Sequence, residues 1–145
     1  MDGFTIRDYK TEDYEALIRV WQLTGMADPA RGDNEEVIRR CINTGGKLFL
    51  LEDKNNKVIA GTSWLTFDGR RLYLHHFGLL PEYQGKGLSK YLLEKTLEYV
   101  KERGHQVKLE VERTNKSAIS LYEKYGFKYL GDYLVYIIRD TENIT

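Results

Sequence analysis

Pro81-Glu82-Tyr83-Gln84-Gly85-Lys86-Gly87-Leu88-Ser89 separates an apolar, strand-like run from an amphipathic helical one. Gly85 and Gly87 let the backbone turn tightly and approach a ligand with no Cβ in the way. The helix that follows brings free N–H groups and the positive end of its dipole to the same place. The stretch therefore reads as a cradle for an anion such as a pyrophosphate, with an ordinary strand-to-helix turn as the alternative. A P-loop needs G-x-x-x-x-G-K-[ST], and no Lys-Ser or Lys-Thr follows Gly87. A dinucleotide fingerprint needs G-x-G-x-x-G, and Lys90 stands where the third glycine belongs.

The flanking sequence predicts an alternating α/β chain without repeats, low-complexity tracts or a linker, one domain over 1–145. Residues 4–7 read as a short strand. A helix opening at Thr11 carries Tyr14, Leu17, Ile18 and Trp21 and ends at Gly25; a second, capped by Asp33 or Asn34, runs to Ile42 before Gly45-Gly46. Residues 48–51 and 58–67 form a hairpin, and Asp68-Gly69 turns into a strand over 72–80. The helix over about 86–103 turns Leu88, Leu92, Leu93, Leu97 and Val100 inward and stops at Gly104. Val107, Leu109 and Val111 alternate as a strand, a helix opens at Asn115, and residues 127–130 and 133–138 read as a closing hairpin turned at Gly131-Asp132.

Two motifs then carry a resemblance. Gln84-x-x-Gly87-x-Ser89 resembles the Q/R-x-x-G-x-G/A loop of the GNAT superfamily of N-acetyltransferases, departing from it at Ser89. Asn115-x-x-Ala118-x-x-x-Tyr122-x-x-x-Gly126-Phe127 resembles that superfamily's N-x-x-A-x-x-x-Y-x-x-x-G-F with every position filled. The two stand in the right order with one strand between them. The resemblance implies an α/β fold with a central mixed, mostly antiparallel sheet of about seven strands, splayed between strands 4 and 5 and flanked by about four helices. It implies acetyl-CoA as acyl donor and no metal. The cofactor contacts it implies are the backbones of Phe77, Gly78, Leu79 and Leu80, the loop Gln84, Gly85, Lys86, Gly87, Leu88 and Ser89, and Asn115 and Tyr122.

Moving an acetyl group to an amine requires deprotonating an ammonium, stabilising an oxyanion and protonating a thiolate. The N–H of Leu79 or Leu80 is the candidate oxyanion donor. Tyr122 matches the family's general acid, and a phenol of pKa about 10 keeps its proton at neutral pH. For the base, the run Leu109-Glu110-Val111-Glu112-Arg113 is similar to the branch that acetylates protein N-termini, which uses a glutamate at Glu110. Alternation puts Glu110 and Glu112 opposite Leu109 and Val111, as it would for solvated charges too. His75 and His76, expected on opposite sides of their strand, and a water relay are the other base candidates.

Twenty-two basic and twenty-two acidic residues cancel, so the chain has no overall excess to draw nucleic acid or an acidic membrane. The single Cys41 has no internal disulfide partner, falls on the Val37/Ile38 side of its helix and reads as a core residue. No signal-like or spanning apolar run appears, and a cytoplasmic location is the expectation. The acceptor is a small-molecule amine (amino acid, polyamine or amino sugar) or a peptide, and its identity is unreadable in the 24–34 loop where the family's specificity tends to lie. The tail residues Tyr133 to Ile138 suit either a buried last strand or a homodimer contact. The alternative function is a non-catalytic module that binds acyl-CoA and regulates an interaction.

Overall fold

The computed structural model describes all of residues 1–145. Its elements are β1 (Phe4–Asp8), α1 (Tyr14–Leu23), α2 (Glu35–Asn43), β2 (Lys47–Asp53), β3 (Val58–Phe67), β4 (Leu72–Leu79), α3 (Leu88–Arg103), β5 (Val107–Leu109) and α4 (Lys116–Lys124), with short 3-10 turns at Thr11–Asp13, Pro29–Arg31, Pro81–Tyr83 and Thr141–Asn143. The chain forms two compact units, Met1–Glu110 and Val111–Thr145.

In the first unit the order in space equals the order in sequence, β1-β2-β3-β4-β5: β1 reaches its antiparallel neighbour β2 through α1 and α2, short turns join β2 to β3 and β3 to β4, and α3 supplies the crossover that a parallel pair requires. β2 builds both faces of the sheet. Leu48 and Leu50 join Leu17, Val20, Trp21, Ile38 and Trp64 on the α1/α2 side, whereas Phe49 and Leu51 join Ala60, Leu79, Leu88 and Leu92 on the α3 side. Period-2 alternation with both sets apolar is the pattern of a strand covered on both faces.

Helix boundaries follow local chemistry. Asn34, not Asp33, caps α2, its side chain accepting from the Val37 N–H at 2.9 Å. The expected helix start at Thr11 is a 3-10 turn that becomes α1 at Tyr14, and there Asp13 accepts from the Lys10 N–H and takes both Arg7 Nη atoms at 2.8 Å. On α3 the inward residues are Leu88, Leu92, Leu93, Thr96 and Val100, with Leu97 only half-buried. Thr96 is tolerated in the core because its hydroxyl donates to the Leu92 carbonyl and meets Ser63 Oγ at 2.7 Å, pinning α3 to β3.

The sheet holds five strands and not the seven expected. Residues 127–130 and 133–138 join no ladder. Eight apolar side chains there, from Tyr129 to Ile138, are between 63% and 85% exposed. The composition is that of strands, but β-propensity expresses packing on a pleated neighbour and makes no strand without one. Only the tight turn survives: Gly131 has φ 58° and the Asp132 N–H reaches the Leu130 carbonyl at 2.7 Å. No helix is long and apolar enough to cross a membrane.

Candidate active site

β4 changes character along its length. The parallel ladder to β5 pairs Leu72, Tyr73 and Leu74 with Val107, Lys108 and Leu109 and stops there, while β4 continues along β3 to Leu79. Beyond His75, the ladder to β3 fixes which backbone groups remain. The Leu80 N–H donates to the Ala60 carbonyl at 2.8 Å and is spent. Leu79, opposite Gly61, is then the non-hydrogen-bonded member of the alternation, so its N–H turns away from β3 towards the edge that β5 has left.

Between these points lies a bulge. Thr62 faces Gly78 and Trp64 faces His75, so Ser63 has two residues, His76 and Phe77, across from it. His76 carries the bend at φ 45°. A hydrogen-bond chain holds it there: Trp21 Nε1 donates to Thr62 Oγ1 at 3.1 Å, and that hydroxyl donates to the His76 carbonyl at 2.7 Å. The inserted residue breaks strand alternation, and this corrects the expectation that the two histidines point to opposite sides. Both imidazoles lie against Trp64, with centroid separations of 6.1 Å for His75 and 5.3 Å for His76.

The glycine loop begins at the end of β4. Pro81–Tyr83 makes a 3-10 turn, the Tyr83 hydroxyl donates to Asp53 at 2.8 Å, and Gln84 Nε2 returns to the Leu79 carbonyl at 3.1 Å. Gly85 and Gly87 have φ 77° and 80°, which side chains rarely adopt, and no atom lies within 4 Å of where a Cβ would stand. The glycines thus serve backbone shape and leave open space above it. Gly87 is the N-cap of α3 with no side-chain cap, so the first amides of that helix keep their hydrogen-bonding capacity. Leu88 anchors the helix start in the core, Ser89 is half-buried, and Lys86 Nζ lies 5.7 Å from the Tyr83 ring centroid. Uncapped amides, a helix dipole and unobstructed glycine backbone fit the pyrophosphate of a coenzyme A.

The base candidates separate by environment. Glu110 is exposed just past the end of β5; burial first, and then this nearby carboxylate, holds the Tyr73 hydroxyl well above its ordinary range. Tyr73 stacks on His75 at 4.4 Å, and His75 Nε2 meets Thr66 Oγ1 at 2.9 Å. Burial, helped by His76, pushes the His75 imidazole down to about 4, which leaves it neutral but a weak proton acceptor. Burial pushes the half-buried Cys41 thiol up, so it holds its proton as a core cysteine does.

In the second unit, Asn115 caps α4, its Oδ1 accepting from the Ala118 N–H at 3.3 Å. Tyr122 lies two turns along from it and is 8% exposed, and burial pushes its phenol up to about 12. Its ring meets Phe127 edge-on at 5.5 Å, and Gly126, at φ 97°, ends the helix between them.

Sequence reasoning missed the supports of the bulge, Trp21 and Thr62, and the contact between Tyr73 and Glu110. None has a local signal, because each depends on which strand lies alongside.

The profile of the acetyltransferase (GNAT) family matches residues 7–127, and the chain belongs to that family. Solved structures agree in fold. An acetyltransferase from Streptococcus agalactiae has a TM-score of 0.78 at 21% identity, the match covering 95% of this chain and 93% of that one. The ribosomal-protein-S18-alanine N-acetyltransferase of Escherichia coli has a TM-score of 0.72 at 27% identity, covering 86% of this chain and 77% of that one. The PaiA N-acetyltransferase of Thermoplasma acidophilum, solved with coenzyme A, has a TM-score of 0.69 at 25% identity, covering 86% and 89%.

Proposed function

We propose that the chain is an acetyl-CoA-dependent N-acetyltransferase acting on a primary amine. One observation carries the reading: the outward N–H of Leu79 and the uncapped start of α3 belong to a single stretch tied together by the Gln84–Leu79 hydrogen bond. Relatives in the same family that bear amine-directed names, such as the alanine N-acetyltransferase, support an amine acceptor.

Bound to the loop Gln84, Gly85, Lys86, Gly87, Leu88 and Ser89 and along Phe77 to Leu80, acetyl-CoA supplies a thioester whose acetyl group passes to the amine. The loop amides and Lys86 offset the phosphate charge. The N–H of Leu79 holds negative charge developing on the carbonyl oxygen. Glu110 takes the proton from the incoming ammonium, with Tyr73 orienting the carboxylate. Tyr122, protonated at neutral pH, gives its proton to the departing sulfur, and Asn115 adds a cofactor contact beside its capping bond.

Calorimetry with acetyl-CoA, against ATP as comparison, tests the binding half. Binding weaker than about millimolar would reduce the loop to a turn. Amine-dependent release of free thiol tests the other half. Tyr122→Phe and Glu110→Gln should each lower turnover by about 100-fold or more with acetyl-CoA binding retained. Full turnover in Tyr122→Phe removes it as the acid. Binding without thiol release for any amine class would favour the regulatory module.

A further inference from the structure

His76 is a costly residue in its position. A left-handed backbone in mid-strand suits glycine, and a side chain there carries strain that is kept only where the side chain is needed. The other non-glycine residue with positive φ, Lys57, sits in the turn between β2 and β3, where such a conformation is ordinary. His76 instead buries its imidazole, 4.4 Å from the Trp21 ring and 5.3 Å from the Trp64 ring, with its side chain 8% exposed. Its Nε2 lies 2.9 Å from Asp33 Oδ2, inside ion-pair range but without the alignment of a hydrogen bond, and the contact becomes an ion pair when the imidazole is protonated.

Asp33 belongs to the segment that leaves α1 and returns at α2. The Met26 and Ala27 N–H groups both bond the Trp21 carbonyl, the Asp28 side chain caps the Pro29–Arg31 turn, and Arg31 reaches back to the Met26 carbonyl at 3.3 Å. One end of the segment is therefore fixed on α1 and the other on the Asn34 cap. Between them, Met26 covers β4: a Cβ built on Gly78 would stand 3.0 Å from Met26 Cε. Gly78 precedes Leu79, so whatever approaches the Leu79 N–H from this face of the sheet passes Met26.

We propose that His76 is a positioning residue whose imidazole, packed against the stacked Trp21 and Trp64 rings and facing Asp33, latches the 24–34 segment down over Gly78 and so sets how closely an acceptor amine can approach. The bulge is what makes this possible, since it turns His76 to the same face as Trp64 and the segment. The strained backbone is retained for the side chain it presents. The consequence for acceptors rests on the acetyl-transfer reading; the latch itself does not.

The decisive variants are His76→Gly, which relieves the backbone and removes the latching imidazole together with its packing on the two indoles, and Asp33→Ala, which removes the partner from the surface side and leaves that packing in place. Arg31 is exposed in the latched segment, so trypsin cleavage between Arg31 and Gly32, followed by mass spectrometry, reads release without cofactor or acceptor. Each variant should be cut there about three- to tenfold faster than the parent chain, and the double variant no faster than either single one. With a working amine, KM for the acceptor should rise by a similar factor, kcat should change less than KM, and Kd for acetyl-CoA by calorimetry should stay put. Parent-like cleavage and parent-like KM in His76→Gly would overturn the latch. If no amine is acetylated by the parent chain, the reaction assignment fails, and the cleavage rates still decide the latch.

Discussion

From Leu72 to Leu74, β4 is laddered on both sides, antiparallel to β3 and parallel to β5, and Leu72 and Leu74 are buried in regular alternation with half-buried Tyr73. From His75 to Leu79 it keeps β3 alone, takes a bulge, bends at a positive φ and turns the Leu79 N–H to the open edge. One strand of eight residues thus contains a scaffold and, on the reading proposed above, a working surface. The first half has its backbone groups consumed by neighbours and its side chains by the core. The second has backbone capacity left over, and the Trp21–Thr62–His76 hydrogen bonds keep its irregular shape in place.

That contrast can be broken by experiment. Leu74→Ala should cost about 2–5 kcal/mol in urea unfolding, because a fully packed site collapses poorly around the cavity, while the folded fraction binds acetyl-CoA as before. A binding loss equal to the stability loss would mean that the halves are not separable.

The pH dependence at the junction should be next in size. His75 stays neutral in the fold down to about 4, whereas in the unfolded chain it protonates below about 6.5, so the unfolded state binds the extra proton in between. Stability is complete above pH 6.5 and should fall by up to about 3 kcal/mol as pH drops towards 4. His75→Gln should flatten that window. The carboxylates held low by hydrogen bonds, Asp13 by Arg7 and Asp53 by Asn56 and Tyr83, lose their contribution only at more acidic pH.

Thr62→Val removes the hydroxyl that serves both Trp21 and His76 and should cost about 1–3 kcal/mol, with the larger fractional effect on acetyl-CoA binding than Leu74→Ala has. Gly78→Ala should cost under about 1 kcal/mol, because its φ is not in the left-handed range and the nearest atom is the flexible end of Met26. A large loss there would make the working half as tightly packed as the scaffold half.

What could be read from residues alone follows the same division. The β2–β3–β4 meander, α3 and the Asn115 helix were legible, because Asp68-Gly69, Gly87, Asn115 and Gly126 are local signals and apolar period distinguishes strand from helix. The glycine loop was legible for the same reason. The bulge was not, since whether His75-His76 alternate depends on Thr62 and Ser63 from another strand. Thr96 was overlooked as a core residue because its partner, Ser63, lies 33 residues away. The closing hairpin was overread: Tyr133 to Ile138 have strand composition, but their N–H and C=O groups found no ladder, and composition cannot supply one.

The Gln84–Leu79 hydrogen bond joins residues only five apart in the chain. So short a closure costs little chain entropy, and the bond joins a strand terminus to the approach of a helix. In hydrogen-exchange terms, the amides from Leu79 through the first turn of α3 should therefore open in one concerted event, with one free energy and one response to ligand. Breaking that bond with Gln84→Ala would split the event in two, giving the strand end and the helix start separate exchange rates.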